Sequence, residues 1–368
     1  MRIAMDGFEA NAEGRVGSGV YGLNLLRQFQ HSDHTFDILL PNQPKADLPN
    51  GNARFQYHVL RPRRFWTRFT LPKYLLTIKK KPDVFFSPTH YIPRWSPVPI
   101  VATIFDLSFL QPEFSSFFRK KDLLQLKEGT QYTVCHASHI LTISQFSKDA
   151  IINTYGIPGE NVTVTPLAVN DHFSAPMPHT RLGEAREQYR LPSKFVLFVG
   201  TLQPRKNVNG LLHAFHMFLL DHPDFSLIVV GKKGWIYDEI FATAKKLDLD
   251  RHVKFLDYVP DNDLPAIMRL ASLFVLPSFY EGFGIPVLEA MASGVPVVAS
   301  NVSSLPEVVG RAGVLVDPND VSSMTRGMER ALQSSSVFKT RGKLRIQQFS
   351  WEKTAQTTLN VLERVAHG

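Results

Sequence analysis

A single cysteine, Cys135, stands in a chain of 368 residues. No intramolecular disulfide framework and no Cys-rich zinc site can be built from it, and this usage fits a reducing compartment. Long apolar runs are missing as well. No stretch reaches the about 18 uninterrupted apolar residues of a spanning helix, and the opening MRIAMDGFEANAEG turns acidic and glycine-rich before a signal-like core can form. Acidic residues are in deficit: 33 Asp and Glu against 41 Lys and Arg leave a formal charge of +8, with a pI near 9.4. Hydrophobic residues make up 44% and charged residues 20%, with a mean hydropathy of −0.09. Those values exclude a wholly disordered or collagen-like chain. The expectation is a soluble cytoplasmic protein, and at roughly 100–200 residues per domain its length predicts two domains.

The positive excess concentrates in RPRRFWTRFTLPKYLLTIKKK (61–81), which carries eight Lys and Arg among Phe65, Trp66, Phe69, Leu71 and Tyr74. Cations beside aromatic rings suit an anionic membrane surface, where the charges meet headgroups and the rings sit at the interface. The ordinary structural reading of the same segment is the solvated flank of a core helix. Nucleic acid is not expected as a partner, because nothing else in the chain resembles a base-reading module.

Short apolar runs alternate with helix-like stretches, the pattern of α/β units on parallel sheets. Six candidate strands precede residue 170 (2–5, 36–40, 83–87, 100–104, 140–143, 162–165). Six follow it (195–199, 226–230, 253–256, 273–276, 295–299, 313–315). Residues 19–29 and 208–220 show helical spacing. The Pro-bearing stretch 171–178 breaks both patterns and reads as a linker. The expected layout is therefore residues 1–175 as one Rossmann-like domain, 190–345 as a second, and 346–368 as a C-terminal helix. Two such sheets facing a shared cleft would bind ligands at their strand ends.

Three loops at strand ends carry chemistry. In GRVGSGVYGLNLL (14–26), Gly17 and Gly19 are expected to permit close backbone approach and positive φ. They stand ahead of a helix whose amide-rich N-terminus favours a phosphate. A plain strand-to-helix turn would look the same. In GTLQPRKNVNGLLHAF (200–215), Arg205 and Lys206 lie beside a helix that Asn207 can cap, after Thr201. An Arg fork with a Lys point charge makes a diphosphate clamp, although a surface ion pair would read alike. In SFYEGFGIPVLEAMASGVPVVAS (278–300), Glu281 falls in a loop and Glu289 in the first turns of a helix that Pro286 opens and Gly294 ends. Such carboxylates can accept hydroxyls of a sugar or ribose. A general acid/base pair for hydrolysis and a simple complement to the helix dipole remain open.

The segment EGFGIPVLE (281–289) is similar to the E-x7-E motif of the retaining glycosyltransferases of family 4, which have the two-domain GT-B architecture. GSGVY (17–21), TIFDLSFLQPEF (103–114), ASHILTISQFSKDAI (137–151), VTVTPLAVN (162–170), GTLQPRKN, SSLPEVVGRAGVLVDPND (303–320) and FSWEKTAQTTL (349–359) resemble the family's other landmarks in order, over nearly the whole chain. The resemblance is nearest to a bacterial mannosyltransferase-like branch that often uses GDP-mannose. It implies a nucleotide-sugar domain, an acceptor-side domain and a final helix crossing back to the first.

It also implies roles. Arg205 and Lys206 would bind the donor diphosphate, assisted by backbone near Gly17, Gly19, Thr201, Phe283 and Gly284. Glu289 would take the ribose hydroxyls and Glu281 those of the sugar. No cofactor or metal is implied, since the two cations neutralise the leaving diphosphate and no Asp-x-Asp motif is present. Relatives carry a His-Asp pair where this chain has Phe105-Asp106. Asp106 can still meet a hydroxyl, but phenylalanine cannot hydrogen-bond. His90 and Ser144, at other strand ends, are weaker candidates for sugar or acceptor contact. The expectation is transfer of a hexose, mannose from GDP-mannose, to a glycan or lipid-linked acceptor, at the inner face of the cell membrane if the basic segment docks there. The alternatives are a UDP-sugar-dependent enzyme, a nucleotide-sugar epimerase of similar architecture and a catalytically impaired sugar-nucleotide-binding homologue.

Overall fold

A computed structural model describes residues 1–15, 17–115, 119–234 and 237–368. The chain forms two compact units, one of Met1–Leu167 with Trp351–Gly368 and one of Ala168–Ser350. In the first unit, β1 (Arg2–Asp6), β2 (Thr35–Leu40), β3 (Phe55–Val59), β4 (Val84–Ser87), β5 (Ile100–Thr103), β6 (His139–Thr142) and β7 (Val162–Val164) form one parallel sheet in the order β3-β2-β1-β4-β5-β6-β7. In the second, β8 (Phe195–Val199), β9 (Ser226–Val230), β10 (Val253–Leu256), β11 (Leu273–Leu276), β12 (Val297–Ser300) and β13 (Val314–Val316) form another, ordered β10-β9-β8-β11-β12-β13. Both are Rossmann-like doubly wound sheets, as the alternation of runs predicts. Each reverses its strand order once, between β1 and β4 and between β8 and β11. Open α/β sheets bind ligands at that switch point, beyond the strand C-termini.

Each of the twelve apolar runs falls on a strand, because strands covered on both faces need an apolar residue at nearly every position. The strand that the runs do not reveal is β3, FQYHV, an edge strand paired with β2 and partly exposed. One side bears polar residues, so no continuous run marks it. His58 in β3 and Arg2 in β1 hold the wholly buried Asp37 of β2, at 2.8 and 2.6 Å. That ion cluster pins three neighbouring strands.

Helices cover the sheets with single apolar stripes. The Val208–Phe218 helix buries Leu211, Leu212, Ala214, Phe215 and Phe218, and each larger side chain contributes about 1.5–3 kcal/mol by leaving water. The final helix, Trp351–His367, packs in the first unit against the Gly17–Phe29 helix, with the Trp351 ring 6.3 Å from Tyr21. Among the described residues, no helix is long and apolar enough to cross a membrane. The 61–81 segment folds as a π-helical turn, Trp66–Thr70, and a short helix, Leu71–Thr77. Trp66, Leu71 and Leu75 are buried, while Phe65, Phe69 and Leu76 are about half exposed. Lys81 Nζ, on an exposed residue, donates to the carbonyls of Leu75 and Leu76 and so closes that helix.

In the second unit the loops after β8 and β9 run backbone to backbone, with Leu202 N–H donating to Lys232 O and Gly234 N–H to Leu202 O. A Cβ at Gly231 would stand 1.9 Å from Gly200 O. Gly231→Ala should therefore force the two loops apart and lower the melting temperature sharply. Gly14→Ala, at φ 61 but facing open space, should cost only about 1–2 kcal/mol. Thermal denaturation of both variants checks the contrast, and equal losses would contradict it.

Candidate functional site

The switch point of the second sheet gathers the charged residues. Arg205 and Lys206 sit on a 3-10 turn, Pro204–Lys206, in the loop after β8, and Glu281 follows β11. Asn207 leaves that turn at φ 55. Its side chain caps the Val208–Phe218 helix by accepting from Gly210 N–H, as expected, and its amide donates to Pro318 O at 2.7 Å. Lys206 Nζ then lies 2.5 Å from Glu281 Oε1, while Arg205 Nη1 reaches Glu281 Oε2 at 3.4 Å and Tyr280 O at 2.9 Å. Glu281 is 6% exposed. Burial pushes its carboxyl up, but the Lys206 and Arg205 charges and the Lys206 and Ser278 hydrogen bonds outweigh it and hold the group below its ordinary value. Glu281 is therefore an anion at neutral pH. Two cations share this one carboxylate, so the trio keeps one positive charge in excess, which suits an incoming anion.

Three serines that the sequence does not single out hold the carboxylate in place. Ser278 Oγ donates to Glu281 Oε1 at 2.7 Å, and Ser303 Oγ accepts the Glu281 N–H at 3.0 Å. Ser304 Oγ donates to the carbonyls of Glu281 (2.9 Å) and Phe283 (3.0 Å). Ser304 stands directly before the Leu305–Val309 helix, where a serine normally caps, yet it makes no cap hydrogen bond. The available signal was a pair of serines ahead of Leu-Pro-Glu, and it pointed to the wrong task.

The other expected residues of this unit are spread around the same strand ends. Gly284 has φ 103 and opens the Ile285–Ala292 helix, where Pro286 falls in the first turn. Phe283 is buried against Phe349, so its backbone rather than its ring is available. Thr201 is exposed. Glu289 is half-buried in the helix. Burial first, and then the charge of Asp261, push its carboxyl up to about 8. The structure thus gives the two glutamates opposite characters, one ionised and one largely protonated.

In the first unit, the Gly17–Phe29 helix follows β1, with Val16 outside the described residues. Positive φ belongs to Gly14, not to Gly17 or Gly19, because the latter two lie within the helix. Gly19 does serve close approach, since a Cβ there would stand 2.7 Å from Glu9 O, whereas one at Gly17 would meet open space. Asp106 follows β5, and its Oδ1 accepts the Ser108 N–H at 2.8 Å. Phe105 packs edge-on against Tyr21, with ring centroids 5.3 Å apart. Ser144 is buried and caps the Gln145–Tyr155 helix. Among the described residues, His90 Nε2 is buried without a hydrogen-bond partner. Burial lowers its imidazole to about 4, against the opposing charge of Asp106, so it is neutral at physiological pH. His136 and His139 do structural work: His136 bonds Tyr132 O, and His139 in β6 bonds Thr163 Oγ1. Among the described residues, no group of three His, Cys, Asp or Glu is placed to hold a metal ion.

Comparison with known proteins assigns both units. A family model for glycosyl transferases group 1 matches residues 183–349, and one for Glycosyltransferase Family 4 matches residues 16–173. The chain is 36% identical over 310 residues to O-antigen chain mannosyltransferase B of Escherichia coli, covering 83% of this chain and 78% of that protein. It is 30% identical over 233 residues to the MMP alpha-(1->4)-mannosyltransferase of Mycolicibacterium hassiacum, covering 61% of this chain and 54% of that one. Among solved structures, sucrose-phosphate synthase from Thermosynechococcus elongatus matches 99% of the chain and 98% of its own, with a TM-score of 0.75 at 20% identity. Anabaena HepE, solved with UDP and glucose, matches 99% of the chain and 100% of its own, with a TM-score of 0.75 at 19% identity. The fold is therefore GT-B in type.

The raised carboxyl of Glu289 has a consequence for stability. On folding it retains a proton that the unfolded chain has lost above its ordinary value of 4.5, so native stability falls as pH climbs from there to about 8. Glu289→Gln cannot ionise and should flatten that fall, melting higher than the parent at pH 8 and alike at pH 4.5. Calorimetric scans at the two pH values decide it, and a gain of equal size at both would count against the buried-carboxyl account.

Proposed function

The chain belongs to glycosyltransferase family 4, and from that membership we propose that it transfers mannose from GDP-mannose, with retention of anomeric configuration, to a hydroxyl of a glycan or lipid-linked acceptor. The observation that carries the reading is the Lys206–Glu281–Arg205 cluster at the switch point of the second sheet. The choice of mannose draws on the relative named O-antigen chain mannosyltransferase B.

In this reading the second unit holds the donor. Arg205 and Lys206 bind its diphosphate, and their charge stabilises the oxygen that leaves with the nucleoside diphosphate. Thr201 and the backbone of Phe283–Gly284 line the same strand ends. Glu281 accepts hydroxyls of the sugar, and Glu289 accepts those of the ribose. The bond from the anomeric carbon to the β-phosphate oxygen breaks while a bond to the acceptor oxygen forms on the same face. The acceptor proton passes to the departing phosphate oxygen, so atoms and charge balance without a protein base, and the two cations do the work a metal would otherwise do. Asp106, His90 and Ser144 are left as contacts for sugar or acceptor. A catalytically impaired homologue draws on one observation, Phe105, which offers no hydrogen bond where the family resemblance implies a histidine.

Donor choice is read by thermal shift with GDP-, UDP- and ADP-sugars. A ligand at 100 times its Kd stabilises the native state by about 2.7 kcal/mol, and GDP-mannose should give the largest rise. Lys206→Ala should then lose about a hundredfold or more in kcat, as removal of a preorganised charge does. Glu281→Gln should lose most of the transfer while remaining folded. Donor binding without turnover across a panel of hydroxyl acceptors would instead favour the impaired homologue, and a change of sugar configuration without acceptor would favour an epimerase.

The same reading puts the enzyme at an anionic membrane surface through residues 61–81. Arg64 lies over Phe65 and Lys73 over Phe69, at 4.9 and 6.0 Å from the ring centroids, and both rings are exposed. Glutamates at Arg61, Arg63, Arg64 and Arg68 should abolish flotation with phosphatidylglycerol vesicles and leave the melting temperature unchanged. Undiminished flotation would reduce the patch to a solvated flank.

A further inference from the structure

The guanidinium of Arg205 is less open to a ligand than its place in the sequence suggests. Such a group carries five N–H donors in one plane, and the protein engages most of them here. Nη1 donates to Tyr280 O at 2.9 Å and to Glu281 Oε2 at 3.4 Å. The opposite edge, Nε and Nη2, faces the side chain of Gln203. With its amide turned as the hydrogen bonding requires, Gln203 Oε1 accepts from Nε at 2.9 Å and from Nη2 at 3.2 Å. Among the described residues, both Nη1 donors, the Nε donor and one Nη2 donor are thus engaged, which leaves a single Nη2 N–H.

Gln203 is placed for this task and for no other that its position offers. It opens the Pro204–Lys206 turn in an extended conformation, at φ −151 and ψ 153, yet makes no side-chain cap bond to it. It is 7% exposed, and a buried amide is costly unless it is hydrogen-bonded. The backbone of Arg205 is fixed as well, since its carbonyl accepts the Phe279 N–H at 2.8 Å. An arginine held at its carbonyl and along both edges of its fork keeps one orientation before any ligand arrives. Preorganised charge of that kind stabilises a developing anion without reorganising at the moment of reaction.

We propose that Gln203 is a positioning residue for transfer: it fixes the plane of the Arg205 guanidinium, so that Arg205 gives the donor diphosphate its charge and one directed Nη2 N–H rather than a two-pronged fork. The assignment rests on the transferase reading and adds to it a residue that touches no substrate. Gln203→Leu keeps both cations and removes the acceptor. Donor Kd, set by the charges, should change less than about twofold, whereas kcat should fall about tenfold, the value of one directed contact to a charged oxygen. Gln203→Glu restores an acceptor and should recover most of that kcat. It also cancels the one excess positive charge of the Lys206–Glu281–Arg205 trio, so donor Kd should rise about tenfold. A merely structural side chain would not separate the two parameters in this way. On an Arg205→Ala background, Gln203→Leu should cost no further kcat, because its only route to the reaction is gone.

Release of GDP from GDP-mannose by the full chain, with methyl mannobioside as the hydroxyl acceptor, gives kcat, and calorimetric titration of GDP-mannose gives Kd. If Gln203→Leu does not fold, Gln203→Ser, too short to reach the guanidinium, replaces it with the same expected values. Parental kcat in the variant without an acceptor, parallel losses of kcat and affinity there, no recovery in Gln203→Glu, or a further loss on Arg205→Ala would each overturn the assignment and leave the transferase reading standing. Should the parent release no nucleotide from any GDP-, UDP- or ADP-sugar, the reading falls and the assignment falls with it.

Discussion

An ionised carboxylate out of contact with water is costly, and Glu281 is tolerated only because two cations and a hydroxyl surround it. That single requirement orders the second unit. Lys206 and Arg205 must leave β8 on a tight turn, and Asn207 must then take φ 55 to start a helix at once. Ser303 and Ser304, beyond β12, must come close enough to bind the backbone of the loop after β11. Three strand-end loops are therefore locked by one ion cluster. Buried ion pairs are poor sources of net stability, yet removing one partner leaves an uncompensated buried charge, so the members of the cluster depend on one another.

The two units make an instructive pair because they share one topology and place opposite chemistry at the same point of it. Each sheet reverses between its first and fourth strands and presents a carboxyl there, Asp6 in one and Glu281 in the other. Asp6 meets an indole N–H and an amide but no cation, and burial prevails, raising it to about 7. Glu281 meets two cations, and attraction prevails, holding it down. One topology thus leaves the charge of a strand-end carboxyl to the handful of loop residues around it.

Much of this was legible without coordinates. The twelve apolar runs, Asn207 as a cap, and Pro286 and Gly294 at the two ends of a helix all follow from local rules of burial and backbone geometry, because each acts within a few residues of itself. Edge strand β3 escaped because its exposed side breaks the apolar run. The glycine loop was read with positive φ at Gly17 and Gly19, whereas helix geometry moves that conformation to Gly14. Ser304 was not singled out, because its hydroxyl serves carbonyls 21 and 23 positions earlier in the chain.

The sequence alone determined the class of the fold, the order of its landmarks and the residue types at each strand end, because hydrophobic periodicity and turn chemistry are short-range properties. Tertiary structure decided which of those residues meet. The approach of Lys206 to Glu281 across 75 positions and the protonation tendencies of Glu289 and Asp6 depend on how strands are ordered in a sheet and how much water each group keeps. Such quantities are set by long-range packing, and no local pattern encodes them.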